Sequence, residues 1–139
     1  MKKQQKKKRV VAFGVFDLLH PGHLTFLTAA RALGDELVVV ITRDSRVKKE
    51  KGAAPVFTEK ERLQMISALS VVTHVVLGDR PGQWSMLEKL KPDIVAIGHD
   101  QKRPETKIFS ARLVMIQAKN RKRYSSSRIR SAFAAISKL

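Results

Sequence analysis

At 139 residues the chain is long enough to bury one hydrophobic core, and its 43% apolar content argues against a disordered polypeptide. The absence of cysteine excludes disulfides, thiolate metal sites and cysteine nucleophiles, and fits a reducing, cytoplasmic setting. Lys and Arg outnumber Asp and Glu by 28 to 12, and the resulting +16 suits polyanionic ligands such as nucleotides, phosphate esters or nucleic acid without choosing among them.

The chain opens on a basic tail, residues 1–9, in which Lys2, Lys3, Lys6, Lys7, Lys8 and Arg9 are expected to be solvated and flexible. The basic-then-apolar start is not read as a secretory signal, because Asp17 and His20 break the apolar run and no small-residue cleavage site follows promptly. No apolar run approaches the ~18 residues of a membrane span, so no membrane partner is expected. The domain itself is placed at 10–139.

Its first segment, RVVAFGVF (9–16), reads as a buried strand. HLTFLTAARALG then carries Leu24, Leu27, Ala30 and Leu33 at helical spacing, with Gly34 as the expected C-cap. ELVVVIT (36–42) is β-branched and continuous, as a central parallel strand should be. Residues 44–57 are polar and basic, with Gly52 and Pro55, and read as a loop. Thr58 opens a capping box with Glu61, ahead of a helix through Leu63, Met65, Ile66 and Leu69. A short strand HVVLG (74–78), a helix through Trp84, Leu87 and Leu90, a strand DIVAIG (93–98), a polar loop at 99–107, a strand RLVMIQA (112–118) and a helix near 126–138 complete the chain.

Strand and helix thus alternate about five times without a linker or repeat. That is the pattern of an α/β domain with a doubly wound parallel sheet of about five strands, covered on both faces. Ligands of such sheets bind beyond the carboxyl ends of the strands, where the strand order reverses. The loops to search are therefore 14–23, 43–57, 78–82, 98–107 and 118–127.

FDLLHPGH lies in the first of them. Pro21 suits a first helical turn, since it has no N–H to leave unpaired there. Gly22 permits close approach of a ligand to the backbone. His20 and His23, three residues apart, can place their rings on one side of the helix start, beside free N–H groups that attract anions. Two other readings stay open. The pair could simply cap the helix, or it could be half of a zinc site, although His74 and His99 lie far along the chain. Neither a P-loop nor a GxGxxG dinucleotide fingerprint is present.

GVFDLLHPGH resembles the GxFDxxHxGH signature of the nucleotidyltransferases related to cytidylyltransferases, a group that includes glycerol-3-phosphate and phosphocholine cytidylyltransferases, phosphopantetheine adenylyltransferases and archaeal-type FAD synthases. YSSSRIR (124–130) is similar to the ISTTxI segment that starts the final helix of these enzymes. The resemblance runs from Val10 to about Arg130 and implies a Rossmann-like fold.

It also implies nucleotidyl transfer, in which an acceptor phosphate oxygen attacks the α-phosphate of a nucleoside triphosphate and pyrophosphate leaves. His20 and His23 match the histidines that contact the triphosphate. Gly14, Val15, Phe16, Asp17 and Gly22 complete the first nucleotide-binding segment, with Asp17 expected to organise the loop more than to do chemistry. Ser125, Ser126, Ser127 and Arg128 would meet the β- and γ-phosphates at a second helix start. Lys48, Lys49 and Lys51 lie where relatives place a phosphate-binding lysine, and Lys48 is taken as the catalytic candidate; a solvated basic loop is the alternative. Mg²⁺, or another divalent cation, is implied by the triphosphate, with no residue assigned as a protein ligand to it. A homodimer is implied by analogy.

Gly98-His99-Asp100-Gln101 is closer to the GYDQ of archaeal-type FAD synthases than to the GDDW of glycerol-3-phosphate cytidylyltransferases. The resemblance therefore favours ATP and FMN as substrates, with Asp100 at the nucleotide or acceptor site. CTP with glycerol 3-phosphate or another small phosphate ester is the alternative. Arg62 falls where relatives often keep an arginine near the substrate or dimer contact, and a surface helix arginine is the other reading. Asn120 departs from the RTxGIS-like run of cytidylyltransferases, with Arg121 and Arg123 close by. A non-catalytic nucleic-acid binder would account for the charge but not for the histidine pair, and only 6% of residues are aromatic, too few for a base-stacking platform.

Overall fold

The computed structural model describes residues 5–81, 83, 85–98, 101, 110–117 and 125–137. Five parallel strands, β1 (Arg9–Gly14), β2 (Glu36–Ile41), β3 (His74–Leu77), β4 (Ile94–Gly98) and β5 (Arg112–Ile116), lie in the order β3-β2-β1-β4-β5. The helices are α1 (Pro21–Arg31), α2 (Asp44–Lys51), α3 (Glu59–Ser67), α4 (Ser85–Leu90) and α5 (Ser126–Ser137). The expected sheet is therefore present.

The continuous apolar runs of the central strands follow from burial on both faces. Val10, Ala12, Leu37, Val39 and Ile41 point to one side, where they pack with Leu27 and Ala30 of α1 and Ile66 of α3. Val11, Val38, Val40, Val95 and Ile97 point to the other, against Leu87 of α4. An alternating pattern would have left one face wet. β1 carries the first crossover toward β2 and the later one toward β4, so the strand order reverses between β1 and β4. Backbone pairing is uneven there. β1 and β2 stay in register from Arg9↔Glu36 to Gly14↔Ile41, whereas β1 and β4 pair only from Val10↔Ile94 to Ala12↔Ala96.

Three expectations need correction. Part of the loop expected at 44–57 is α2. Its start is fixed from α3: the Asp44 N–H donates to Glu59 Oε1 at 3.1 Å and the Glu59 N–H donates to Asp44 Oδ2 at 3.1 Å, while Val47 anchors the helix in the core. Lys48, Lys49 and Lys51 fall in its last turn, where the helix dipole favours cations. Gly34 is not a C-cap. α1 ends at Arg31 with Ala32 as its cap, and Gly34 is needed because a Cβ there would stand 2.8 Å from the Lys8 carbonyl oxygen. Arg9 belongs to β1 rather than to a loose tail, its Nε donating to Glu36 Oε1 at 2.6 Å and its Nη1 to the Leu90 carbonyl at 2.7 Å. Lys8 is already tied in, since its carbonyl accepts from the Asp35 and Glu36 amides.

The capping box at Thr58 and Glu61 forms as expected, through bonds of 3.2 and 3.1 Å. No helix among the described residues is long and apolar enough to cross a membrane.

Candidate functional site at the head of the first helix

The chain leaves β1 through a tight, strained path. Phe16 (φ 52°) and Leu18 (φ 47°) both take the left-handed backbone conformation that non-glycine residues seldom adopt. Such strain persists only where surrounding contacts impose it. Here the Phe16 ring is buried, meeting His23 edge-on at 5.4 Å and Phe26 at 6.5 Å. Gly14 makes room for it, as a Cβ there would lie 3.0 Å from that ring.

His20 is the N-cap of α1, and its Nδ1 accepts from the Gly22 N–H at 3.1 Å. His23 reaches back, its Nδ1 accepting from the His20 N–H at 3.3 Å. The two therefore form a capping box built from imidazoles, where Ser or Thr with Glu is usual. The rings stack at 3.7 Å between centroids, with 25° between planes. These bonds select the tautomer. A neutral imidazole whose Nδ1 accepts carries its proton on Nε2. Both histidines are so arranged, as Nε2 donors at a helix start. Burial pushes the His20 pKa down from its ordinary value. The capping reading of the pair is thus correct as geometry, and it is compatible with anion binding because capping uses only Nδ1.

Asp17 is the hub of the surrounding loops. It is 3% exposed, and its carboxylate accepts from the Val56 N–H at 2.7 Å and the Phe57 N–H at 3.0 Å and pairs with Arg130. Its own carbonyl accepts from the Ser126 hydroxyl at 2.6 Å. Asp17 so joins the β1 loop, the segment before α3 and the start of α5. Burial, the largest single influence, pushes its pKa up, but the Phe57 and Val56 amides together with Arg130 outweigh it and hold the carboxyl below its ordinary value. Asp17→Asn should cost about 1–3 kcal/mol at pH 7, because an amide nitrogen would face a backbone N–H and Arg130 would lose its partner. A folded-state pKa below the ordinary 3.8 gives stability that is present above that value and lost as pH falls through the lowered one. Urea titrations of wild type and variant should therefore converge in acid; a constant gap down to the lowest pH would contradict the assignment.

The sequence pointed to Arg128 but missed Arg130. The signal was available: Ser126 and Arg130 are four residues apart, hence on one face of α5, and both reach Asp17. Among the serines, Ser125 caps α5 by accepting from the Arg128 N–H at 3.1 Å, Ser126 commits its hydroxyl proton to Asp17, and Ser127 is exposed at the helix start.

Arg62 is neither a surface residue nor a group open to substrate. It is fully buried, donating from Nε to the Phe57 carbonyl (3.1 Å), from Nη1 to the Val15 carbonyl (2.7 Å), and from Nη2 to the Thr42 carbonyl (2.8 Å) and Asp44 Oδ1 (2.7 Å). It thereby locks the ends of β1 and β2 to the starts of α2 and α3. Lys48, Lys49 and Lys51 are all exposed on α2. Asp100, His99, Asn120, Arg121 and Arg123 lie outside the described residues. Among those described, no three His, Cys, Asp or Glu side chains converge to hold a metal.

The elements brought together at the β1 end are thus an α1 start with two imidazole donors, an α5 start with serines and arginines, and a buried carboxylate joining them. The chain is similar to several known proteins. The cytidylyltransferase-like family model matches residues 11–132. The FAD synthase of Methanosarcina mazei is 48% identical over 105 residues, covering 76% of this chain and 68% of that protein. The FAD synthase of Archaeoglobus profundus is 40% identical over 127 residues, covering 86% and 81%. The FAD synthase of Methanosarcina barkeri is 48% identical over 94 residues, and the match spans 66% of its length. The solved structure of the lipopolysaccharide core biosynthesis protein from Thermoplasma volcanium GSS1 has a TM-score of 0.76 at 38% identity, covering 83% of this chain and 100% of that one.

Proposed function

The chain belongs to the cytidylyltransferase-like family and is a nucleotidyltransferase, and from that premise we propose that it is an FAD synthase, moving AMP from ATP to FMN. The observation that carries the phosphate chemistry is the Nε2–H tautomer of both histidines at the start of α1. The relatives and the Gly98–Gln101 segment carry the choice of FMN and ATP.

In this reading an FMN phosphate oxygen attacks the α-phosphorus of ATP, the bond to the bridging oxygen of the β-phosphate breaks, and pyrophosphate leaves with that electron pair. No enzyme nucleophile is required, so the protein acts by positioning and charge stabilisation. His20 and His23 donate to phosphate oxygens as charge grows on them. The start of α5 adds backbone dipoles toward the same anion, whereas the free N–H groups expected at α1 are not there: Pro21 has none, and the Gly22 and His23 amides already donate to His20. Lys48, in the exposed last turn of α2, is assigned to the phosphates from the resemblance alone. Asp100 is assigned to the nucleotide or acceptor site from sequence alone. Asp17, committed to two amides and Arg130, is a structural carboxylate. A divalent cation would be held by the triphosphate rather than by the described side chains, and would offset phosphate charge.

The deciding experiment is pyrophosphate release from a matrix of ATP and CTP against FMN, glycerol 3-phosphate and phosphocholine. Release with ATP and FMN alone is the expected result. Release with CTP and a small phosphate ester, and none with FMN, would move the chain to the cytidylyltransferase alternative.

A further inference from the structure

Backbone pairing between β1 and β4 stops at Ala12↔Ala96, although β1 continues to Gly14 and β4 to Gly98. Past that last pair a side chain bridges the two strands. Gln101 Nε2 donates to the Phe13 carbonyl on β1 at 2.6 Å, and the Gly98 N–H on β4 donates to Gln101 Oε1 at 3.0 Å. The Gln101 N–H also donates to the Gly98 carbonyl at 2.9 Å. The orientation of the carboxamide is forced, because a carbonyl only accepts and an amide N–H only donates. Gly14 accommodates the bridge, since a Cβ there would stand 3.3 Å from Gln101 Nε2.

We infer that Gln101 is a positioning residue: its carboxamide acts as a substitute rung between β1 and β4 and fixes the width of the ligand crevice at the point where the strand order reverses. A primary amide presents the same donor and acceptor as a peptide group, so it can extend the ladder where the backbones have begun to separate. β1 runs past this rung into the Phe16–His20 segment, and β4 ends beside it at Gly98. Whatever seats a nucleotide between those segments depends on their spacing. Because the Gly98 N–H is spent on Gln101, it is not a group that reads the ligand. The inference rests on the nucleotide-binding reading above, but not on FMN being the acceptor.

The test uses two variants of the full chain, Gln101→Met and Gln101→Glu, with MgATP affinity by calorimetry and exchange of the Gly98 amide by NMR as readouts. Gln101→Met matches the length but removes both bonds; Gly98 exchange should accelerate about 10–100-fold and ATP should bind about tenfold more weakly. Gln101→Glu sets a carboxylate against the Phe13 carbonyl oxygen at neutral pH. Once protonated, it can donate to Phe13 and accept from Gly98 again. Its ATP affinity relative to wild type should therefore recover as pH falls through the carboxylate range, which also separates a lost rung from a failed fold. ATP affinity within twofold of wild type in Gln101→Met, or an affinity ratio for Gln101→Glu that stays flat as pH falls from neutrality through the carboxylate range, would overturn the inference. A wild-type protein that binds ATP but does not adenylylate FMN would refute the FAD synthase reading and leave both readouts of the rung intact.

Discussion

Replacing His20 or His23 with Ala is expected to cut kcat by about 10²–10³, the usual loss when one preorganised donor to a growing phosphate charge is removed. One backbone N–H donates to each Nδ1 and so leaves the proton on Nε2. His20 is also the N-cap of α1, and losing a cap costs about 1 kcal/mol in its own right. His20→Asn separates the two roles. Asn caps at least as well as His but carries no imidazole, so the variant should recover the stability of α1 and remain as slow as His20→Ala. Wild-type turnover in His20→Asn would show that capping was the whole role. The pH dependence has a defined sign. The folded protein binds a proton at His20 less readily than the unfolded chain, so stability present above the ordinary value of 6.5 falls as pH drops below it. Thermal melts of wild type and His20→Asn from pH 8 to pH 5 should show that slope in the wild type and lose it in the variant.

Arg62→Met is expected to be the most destabilising single change, by about 3–5 kcal/mol in urea unfolding. Its guanidinium is fully buried and serves three carbonyls and a carboxylate from four different segments. An apolar replacement of similar length leaves every one of those acceptors without its donor. Arg62→Lys keeps a charge for Asp44 but lacks the planar fork needed to reach Phe57, Val15 and Thr42 together, and should still lose about 1–3 kcal/mol. Because the Val15 carbonyl sits just before strained Phe16, ATP affinity should fall in both variants alongside stability. A loss below 1 kcal/mol in Arg62→Met would mean that water or neighbouring donors replace the guanidinium without cost.

The sequence misled where a decision depended on contacts far along the chain. Residues 44–51 look like a polar loop because they carry one anchor, Val47, and many charges. They become α2 because Glu59, fifteen residues on, supplies the acceptor for the Asp44 N–H. Arg62 looks like a solvated helix residue because a lone arginine in a helical pattern usually is one. Only the folding of the β1, β2 and α2 ends onto α3 makes it a core group. The spacing of Ser126 and Arg130 puts them on one face of α5, but only the buried carboxylate of Asp17, more than a hundred residues away, makes that face the one that counts.

By itself the amino-acid order determined the alternation of strands and helices, the parallel sheet, the histidine pair at the first helix and the family, because each is encoded in short-range periodicity or in a contiguous motif. Tertiary structure alone decided which charged residues face inward and which side chain bridges the separating strands. Those outcomes depend on the cost of burying a polar group without a partner, and the partners are brought within bonding distance only when the chain has closed on itself.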